Sequence, residues 1–343
     1  MTRLVVDLER IRANIALLQQ HIAPAEFMLV VKDDAYGHGV ERVVSTAVEQ
    51  GVRWFGSFDV ATGLRVRAIA GPEARIFTWS AVSDDELVQA VDARLDLGVG
   101  DFATLERVSV GSGGGTPVRV HLKIDTGLHR SGVRPEEWAA FVARAAAAEA
   151  SGPIVVAGIW SHIAETSDAD DELARAEFDR AVRVARDAGL RPEVRHLAAS
   201  AAAHARPEFR YDLVRFGAFA YGVRSAGSPV ADGIEPAATL LAPVTAVDDD
   251  TVEIGIGSLD GLPSTLSGRV SVRTVAGARP LRVGLASSTV AGWDGAAIGD
   301  EVAIFGPGGD SDSSATTLAE AIDTVGEEIL VRLSPLIPRE YVG

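Results

Sequence analysis

From Met1 to about Val223, short unbroken apolar runs alternate with longer stretches whose apolar positions recur at helical spacing. The runs are FMLVVK (27 to 32), RWFGSF (53 to 58), RIFTWS (75 to 80), LDLGVG (95 to 100), VRVHLKI (118 to 124), VVAGIW (155 to 160), EVRHLA (193 to 198) and DLVRFGAF (212 to 219). Strands that are apolar throughout, rather than at alternate positions, belong to a parallel sheet covered on both faces. Eight of them with helices between predict an α/β fold, a (β/α)8 TIM-type barrel. An opening helix, with Leu8, Ile11, Ile15 and Leu18 on one face, precedes the first strand as a lid or linking element. After Gly222 the pattern changes to alternating strands: LLAPVTAV (240 to 247), TVEIGI (251 to 256), GRVSVRTV (268 to 275), RPLRVGL (279 to 285) and DEVAIFG (300 to 306). The expectation is a barrel over 1–223 and a smaller β-rich domain over 224–343. GSGGG (111 to 115) and PGGDSDSS (307 to 314) read as surface loops, since neither follows a strand and opens a helix as a phosphate loop must.

Composition narrows the function. The net charge of −16 argues against a nucleic-acid partner, which needs a basic surface, and against an anionic membrane. The chain has no cysteine, so disulfides, thiolate metal sites and a cysteine nucleophile are excluded. No metal site is expected. The N-terminal stretch has helical spacing and acidic residues rather than the layout of a signal peptide, and the longest apolar stretch, around Ala145 to Ala148, is far short of a membrane span. A cytoplasmic protein is expected.

Of 32 basic residues only Lys32 and Lys123 are lysines. A chain that otherwise uses arginine keeps a lysine where an amine must lose its proton. Lys32 ends the first predicted strand, and in a barrel the reactive groups sit at the C-terminal strand ends. Arg130 follows the fifth strand, Ser161 and His162 the sixth and Ser200 the seventh, while Arg215 and Gly217 lie at the eighth. An amine among apolar and cationic neighbours is partly neutral and nucleophilic toward an aldehyde, which is Schiff-base chemistry. Each residue alone has a plainer reading: a snorkelling lysine, a satisfied core histidine, a buried ion-pair arginine, an N-cap serine. The set is more specific than its members.

These motifs resemble the alanine racemase family of pyridoxal-phosphate enzymes. VVKDDAYGHG is similar to that family's lysine motif, which implies Lys32 as the residue carrying the cofactor and Tyr36 as a phosphate contact. KIDTGLHRSG, GIWSHIAETSD, HLAASAA and VRFGAFAYGV resemble four further motifs of the family. They imply Arg130 beside the cofactor's phenolic oxygen and His162 in the site. They also imply Ser200 and the backbone near Gly217 and Ala218 on the phosphate, with Arg215 at the pyridine nitrogen. Lys123 stands where some family members carry a carbamylated lysine. The catalytic set so implied is Lys32, Arg130 and His162; the cofactor is pyridoxal 5'-phosphate; the substrate is a small amino acid, alanine by default; the active unit is a homodimer.

The resemblance breaks at the second base. The family uses the lysine on one face of the α-carbon and a tyrosine of the partner's C-terminal domain on the other. This chain has tyrosines at 36, 211, 221 and 341 and none between the last two. The family's tyrosine-bearing loop is replaced by the turn Asp248, Asp249, Asp250. Its Cys-Met-Asp stretch aligns with Ala286, Ser287 and Ser288, and a late phosphate-binding tyrosine with Glu327. Asp34 and Ala199 stand where the family has asparagines. Three functions follow: an alanine racemase with some substitute for the second base, a one-base enzyme acting on this or another amino acid with water or a hydroxyl such as Ser287 or Ser288 on the other face, or a non-catalytic cofactor-binding protein.

Overall fold

The structure, a computed structural model, describes residues 1–81, 83–111, 116–197, 200–224, 233–307 and 313–343. Most of the GSGGG and PGGDSDSS segments, and Ala198 and Ala199, lie outside the described residues. The chain divides into two compact units. One comprises Leu18–Lys32 and Val40–Gly217, the other Met1–Leu17, Asp33–Gly39 and Ala218–Gly343.

A strand absent from the sequence reading, β1 (Arg3–Asp7), opens the chain and belongs to the second unit. Its alternation of buried and half-buried positions spans only five residues before the helix Leu8–Ile22 begins, too short to stand out as a pattern.

The first unit carries eight parallel strands: β2 (Glu26–Val30), β3 (Trp54–Ser57), β4 (Arg75–Thr78), β5 (Asp96–Val99), β6 (Val118–Lys123), β7 (Ile154–Trp160), β8 (Val194–His196) and β9 (Leu213–Phe216). They lie in the order β8-β7-β6-β5-β4-β3-β2-β9. At the seam between the two ends of that order the Asp212 amide donates to the Arg195 carbonyl at 3.1 Å, and the Arg195 guanidinium pairs with the Asp212 carboxylate at 2.7 Å. All eight predicted barrel strands are present. Their unbroken apolar runs are explained by burial on both faces: β3 and β9 are buried at every position. The interior packs Met28, Trp54, Phe77, Trp160, Val194 and Leu213 together, one residue from each of six strands. Helices cover the outside; Val60–Ala70, for example, starts where Asp59 accepts from the Thr62 amide at 2.7 Å.

In the second unit β10 (Ala238–Val247), β11 (Thr251–Ile254), β12 (Ser271–Thr274), β13 (Gly277–Val283), β14 (Ser288–Ala291) and β15 (Glu301–Phe305) form an antiparallel barrel, with β10 pairing both β11 and β15. β1 extends β10, and β16 (Arg339–Val342) runs parallel to β1. Along β10 buried and half-buried positions alternate, as expected for strands with one face inward. The short strands β14 and β16 and the helices Ala315–Glu320 and Gly326–Val331 were not legible from periodicity. Among the described residues no helix is long and apolar enough to cross a membrane.

Candidate active site

Register places the barrel unit's charged residues. Lys123 in β6 is paired in register with Trp160 in β7, and Trp160 with His196 in β8, so the three form one row across the sheet. Arg215 of β9 reaches that row. Its Nη1 donates to the His196 carbonyl at 3.0 Å and lies 2.8 Å from His196 Nδ1; its Nη2 donates to the carbonyls of Ser161 (2.7 Å) and Leu197 (2.9 Å) and lies 3.2 Å from His162 Nδ1. Five contacts on one planar group fix its direction. Arg215 is 3% exposed, and among the described residues it forms no salt bridge. Burial and the nearby Arg130 lower its proton affinity, yet a guanidinium stays charged at neutral pH.

Lys123 donates to Ser131 Oγ, and its ammonium sits 4.3 Å from the centre of the Trp160 ring. Burial, then Arg130 and Arg215, push it down to about 8. His162 is held well below the ordinary histidine value by burial first, then by Arg215, Arg130, Lys123 and Lys32. It is therefore neutral at pH 7. Lys32, Lys123, Arg130, His162 and Arg215, drawn from four motifs, thus share one electrostatic neighbourhood. Ser161 orients it: its hydroxyl donates to the Ile124 carbonyl at 2.7 Å, and its own carbonyl takes Arg215.

Arg130 is exposed on the loop after β6. Asp125 shapes that loop by accepting from the amides of Gly127 and His129, each at 3.0 Å, and from His129 Nδ1 at 3.0 Å. Burial alone would raise the Asp125 carboxyl, but these bonds hold it below its usual range, so it is ionised and already engaged. The loop returns through Gly132, whose φ is +112° and where a Cβ would lie 2.8 Å from the Asp125 nitrogen; only glycine fits.

β2 ends at Val30, and Lys32 begins a turn in which Asp33, Asp34, Ala35 and Tyr36 all take left-handed φ values of 52° to 56°. Each non-glycine residue in that region costs about 1–2 kcal/mol. Strain of this kind persists only where surrounding structure enforces it. Lys32 closes a segment of the barrel unit, whereas Asp33–Gly39 belongs to the other unit. In that unit the Tyr36 ring lies 5.2 Å from Tyr221, and Arg339 donates to the Gly37 carbonyl at 3.1 Å. Burial raises the Tyr36 phenol, with Glu327 and Asp33 adding to the effect, so it keeps its proton.

The sequence-predicted residues divide accordingly. Lys32, Arg130, His162, Ser200, Arg215 and Gly217 are in the barrel unit; Tyr36 and Ala218 are in the other. Ser200 is buried at the start of the short helix Ser200–Ala205. Ser288 is unsuited to acid-base work: it is 1% exposed and its hydroxyl donates to the Ile256 carbonyl at 2.6 Å. The Asp248–Asp250 turn is as tight as expected, the Asp248 amide donating to the Thr251 carbonyl at 2.8 Å. Sequence reasoning missed His121 and His196. Their signal was available, for a histidine inside an apolar strand must find partners when buried.

A strand-end lysine beside arginines in a parallel barrel, followed by an antiparallel β unit, defines a two-unit barrel enzyme of the kind the motifs resemble. The chain matches the family models described as alanine racemase, N-terminal domain, over residues 6–225, and alanine racemase, C-terminal domain, over residues 243–341. It is 36% identical to the alanine racemase of Thermobifida fusca, covering 98% of this chain and 97% of that one. It is 38% identical to that of Beutenbergia cavernae, covering 99% and 98%. The solved alanine racemase of Streptomyces coelicolor A3(2) superposes with a TM-score of 0.95 at 32% identity, covering 100% of this chain and 98% of that one. The chain therefore belongs to the alanine racemase family and is an isomerase of that family.

Proposed function

We propose that the chain is a pyridoxal-phosphate enzyme acting at the α-carbon of alanine or a similarly small amino acid, with Lys32 as its one base. The observation that carries this reading is the cation cluster. Lys32, Lys123, Arg130 and Arg215 lie around a neutral His162, while the nearby carboxylate of Asp125 is tied to its own loop. Such a set fits an anionic cofactor carrying a phosphate and a phenolic oxygen, and among the described residues no group of histidines and carboxylates is placed to hold a metal.

When bound, pyridoxal phosphate supplies an electrophilic carbon for the amino group and an electron sink for the α-carbanion. The protein's own groups set the terms. Arg215 cannot surrender a proton, so it would keep a pyridine nitrogen placed against it unprotonated and the electron sink weak. Arg130 would bring its positive charge to the phenolic oxygen, as the resemblance implies. His162, neutral, donates or accepts without adding charge. Lys32 Nζ holds or moves the α-proton on its own face. Ser200 and the Gly217 backbone are the barrel unit's phosphate ligands by resemblance; Tyr36 and Ala218 keep the phosphate roles that the motifs imply. The relatives are named alanine racemase, and a homodimeric cytoplasmic enzyme is the matching proposal for this chain.

A one-base reading is favoured over full racemisation because β10 and β11 are joined by three aspartates and Ser288 is committed to Ile256. The test is reductive trapping. The purified protein should be yellow, and borohydride should fix the cofactor on Lys32 in peptide mapping. Label on Lys123, or a colourless protein that takes up no cofactor, would contradict the assignment.

A further inference from the structure

Behind Arg215 a single file of hydrogen bonds runs through the barrel interior to the opposite strand ends. His196 Nδ1 lies 2.8 Å from Arg215 Nη1; His196 Nε2 lies 2.7 Å from His121 Nδ1; His121 Nε2 lies 3.2 Å from Asp96 Oδ2. Asp96 opens β5, where it pairs with Arg75 at 2.8 Å and Arg119 at 3.1 Å. Both imidazoles have 0% exposure. Phe77 stacks on His121 at 4.7 Å, and the Trp160 ring lies nearly parallel to His196 at 5.8 Å. The file exists because residue 158 is glycine: a Cβ there would lie 2.4 Å from His121 Nδ1.

The protons of this file have one consistent arrangement. A guanidinium only donates, so His196 Nδ1 must be bare and accept. An ionised carboxylate only accepts, so His121 Nε2 must carry a proton. Between the rings, His196 Nε2 then donates to the bare His121 Nδ1. Each imidazole holds one proton, on Nε2, and is neutral. Any other tautomer sets two donors or two acceptors face to face, and an imidazolium at either ring would point a proton at Arg215. Burial also opposes a charged ring: His121 is lowered and His196 lies well below the ordinary value. The same donor rule extends beyond Arg215, whose Nη2 faces His162 Nδ1 at 3.2 Å, so His162 carries its proton on Nε2.

We propose that Asp96, acting through His121 and His196, is a positioning residue that fixes the direction of Arg215 and the tautomer of His162 from the far end of the barrel. The file supplies the buried guanidinium with a distant counter-charge without placing a carboxylate in the cation cluster. That matters on the reading given under Proposed function, because a carboxylate beside Arg215 would favour a proton on the ring nitrogen that Arg215 would otherwise keep bare.

Histidine 15N NMR of the cofactor-loaded protein tests this, with only seven histidines to resolve. His121, His196 and His162 should each show a protonated Nε2 and a bare Nδ1. In Asp96→Asn one amide oxygen replaces two carboxylate oxygens and cannot accept from Arg75, Arg119 and His121 together. His121, no longer anchored, should turn and draw His196 off Arg215 Nη1, so that the guanidinium ceases to dictate their protons and both rings show both tautomers, and kcat should fall about tenfold or more with KM within about twofold. Arg75→Gln loosens the rim ion pair but leaves the file intact, so it should lower the melting temperature without changing the tautomers. Should Asp96→Asn not fold, Gly158→Ala displaces the His121 ring and should give the same mixed tautomers. A wild-type His121 or His196 with a proton on Nδ1 overturns the proposal. So does an Asp96→Asn protein that loses only thermal stability, or one whose tautomers mix while kcat stays unchanged. The tautomers are also readable without cofactor, so a failure of the pyridoxal reading would be seen separately.

Discussion

Among the described residues the barrel unit buries Asp96, His121, Lys123, Asp125, His196 and Arg215, whereas beyond Arg224 the buried polar side chains are the three hydroxyls of Thr274, Ser288 and Thr316. Residues 224 to 343 contain no histidine, lysine or cysteine. Burying charge is costly unless every group is paired, so a unit retains such groups only where geometry satisfies them. In the barrel they are satisfied by strand register, which aligns Lys123, Trp160 and His196 and brings Arg215 onto the row. Beyond Arg224 the β-rich unit is held mainly by apolar packing and backbone pairing. The difference fits the proposal that the barrel unit carries the acid-base groups, with Tyr36 and Ala218 of the other unit kept for the phosphate.

The largest effect should come from Lys32→Ala. Removing the proposed base and cofactor-bearing amine should lower α-proton exchange by at least about 10² to 10⁴-fold, with the fold intact by circular dichroism. Retained exchange would move the chemistry elsewhere. Next, Arg215→Leu strands the carbonyls of Ser161, His196 and Leu197 in the interior. At about 1–3 kcal/mol for each unsatisfied group, several kcal/mol of stability should be lost in urea unfolding.

A smaller effect concerns pH. Lys123 is lowered from 10.5 to about 8 in the folded protein, chiefly by burial and then by Arg130 and Arg215. Between those values the unfolded chain holds more protons than the folded one, so stability rises with pH across that window. Below it, the cost of burying the charged amine is fully present. Lys123→Met should flatten the rise, as read from denaturation midpoints at pH 7.5 to 10.5. A slope unchanged by the substitution would show that Lys123 is not the titrating group. The smallest effect is expected in the second unit: Ser288→Ala should cost about 1 kcal/mol of stability and leave catalysis untouched. A large catalytic loss there would break the division between the units.

The sequence made the barrel legible because burial on both faces leaves unbroken apolar runs, and that signal survives without any knowledge of pairing. It also exposed Lys32, through its rarity, and Arg130, His162 and Arg215 through motif and strand-end position. Three things escaped it. β1 is too short to show a period, and its partners β10 and β16 lie more than 200 residues away in the chain. The left-handed turn after Lys32 has no glycine until Gly37, so composition gave no warning of it. The Asp96–His121–His196 file depends on three strands meeting in register, and each residue by itself reads as an odd polar group in an apolar run. Ser288, expected as a hydroxyl on the face without a base, is engaged by a hydrogen bond to the Ile256 carbonyl that sequence could not foresee.

On the proposed function, one unit supplies the acid-base chemistry and Lys32 is its only base. This is tested most directly by following D-alanine and L-alanine with the cofactor-loaded protein in deuterated water, measuring α-proton exchange by NMR and enantiomer composition by chiral chromatography. The resemblance implies that the lysine serves the D enantiomer. D-Alanine should therefore exchange its α-proton at least about a hundredfold faster than it racemises, and L-alanine should be nearly inert. Rapid racemisation in both directions, with exchange and inversion at comparable rates, would contradict the account by requiring a second base.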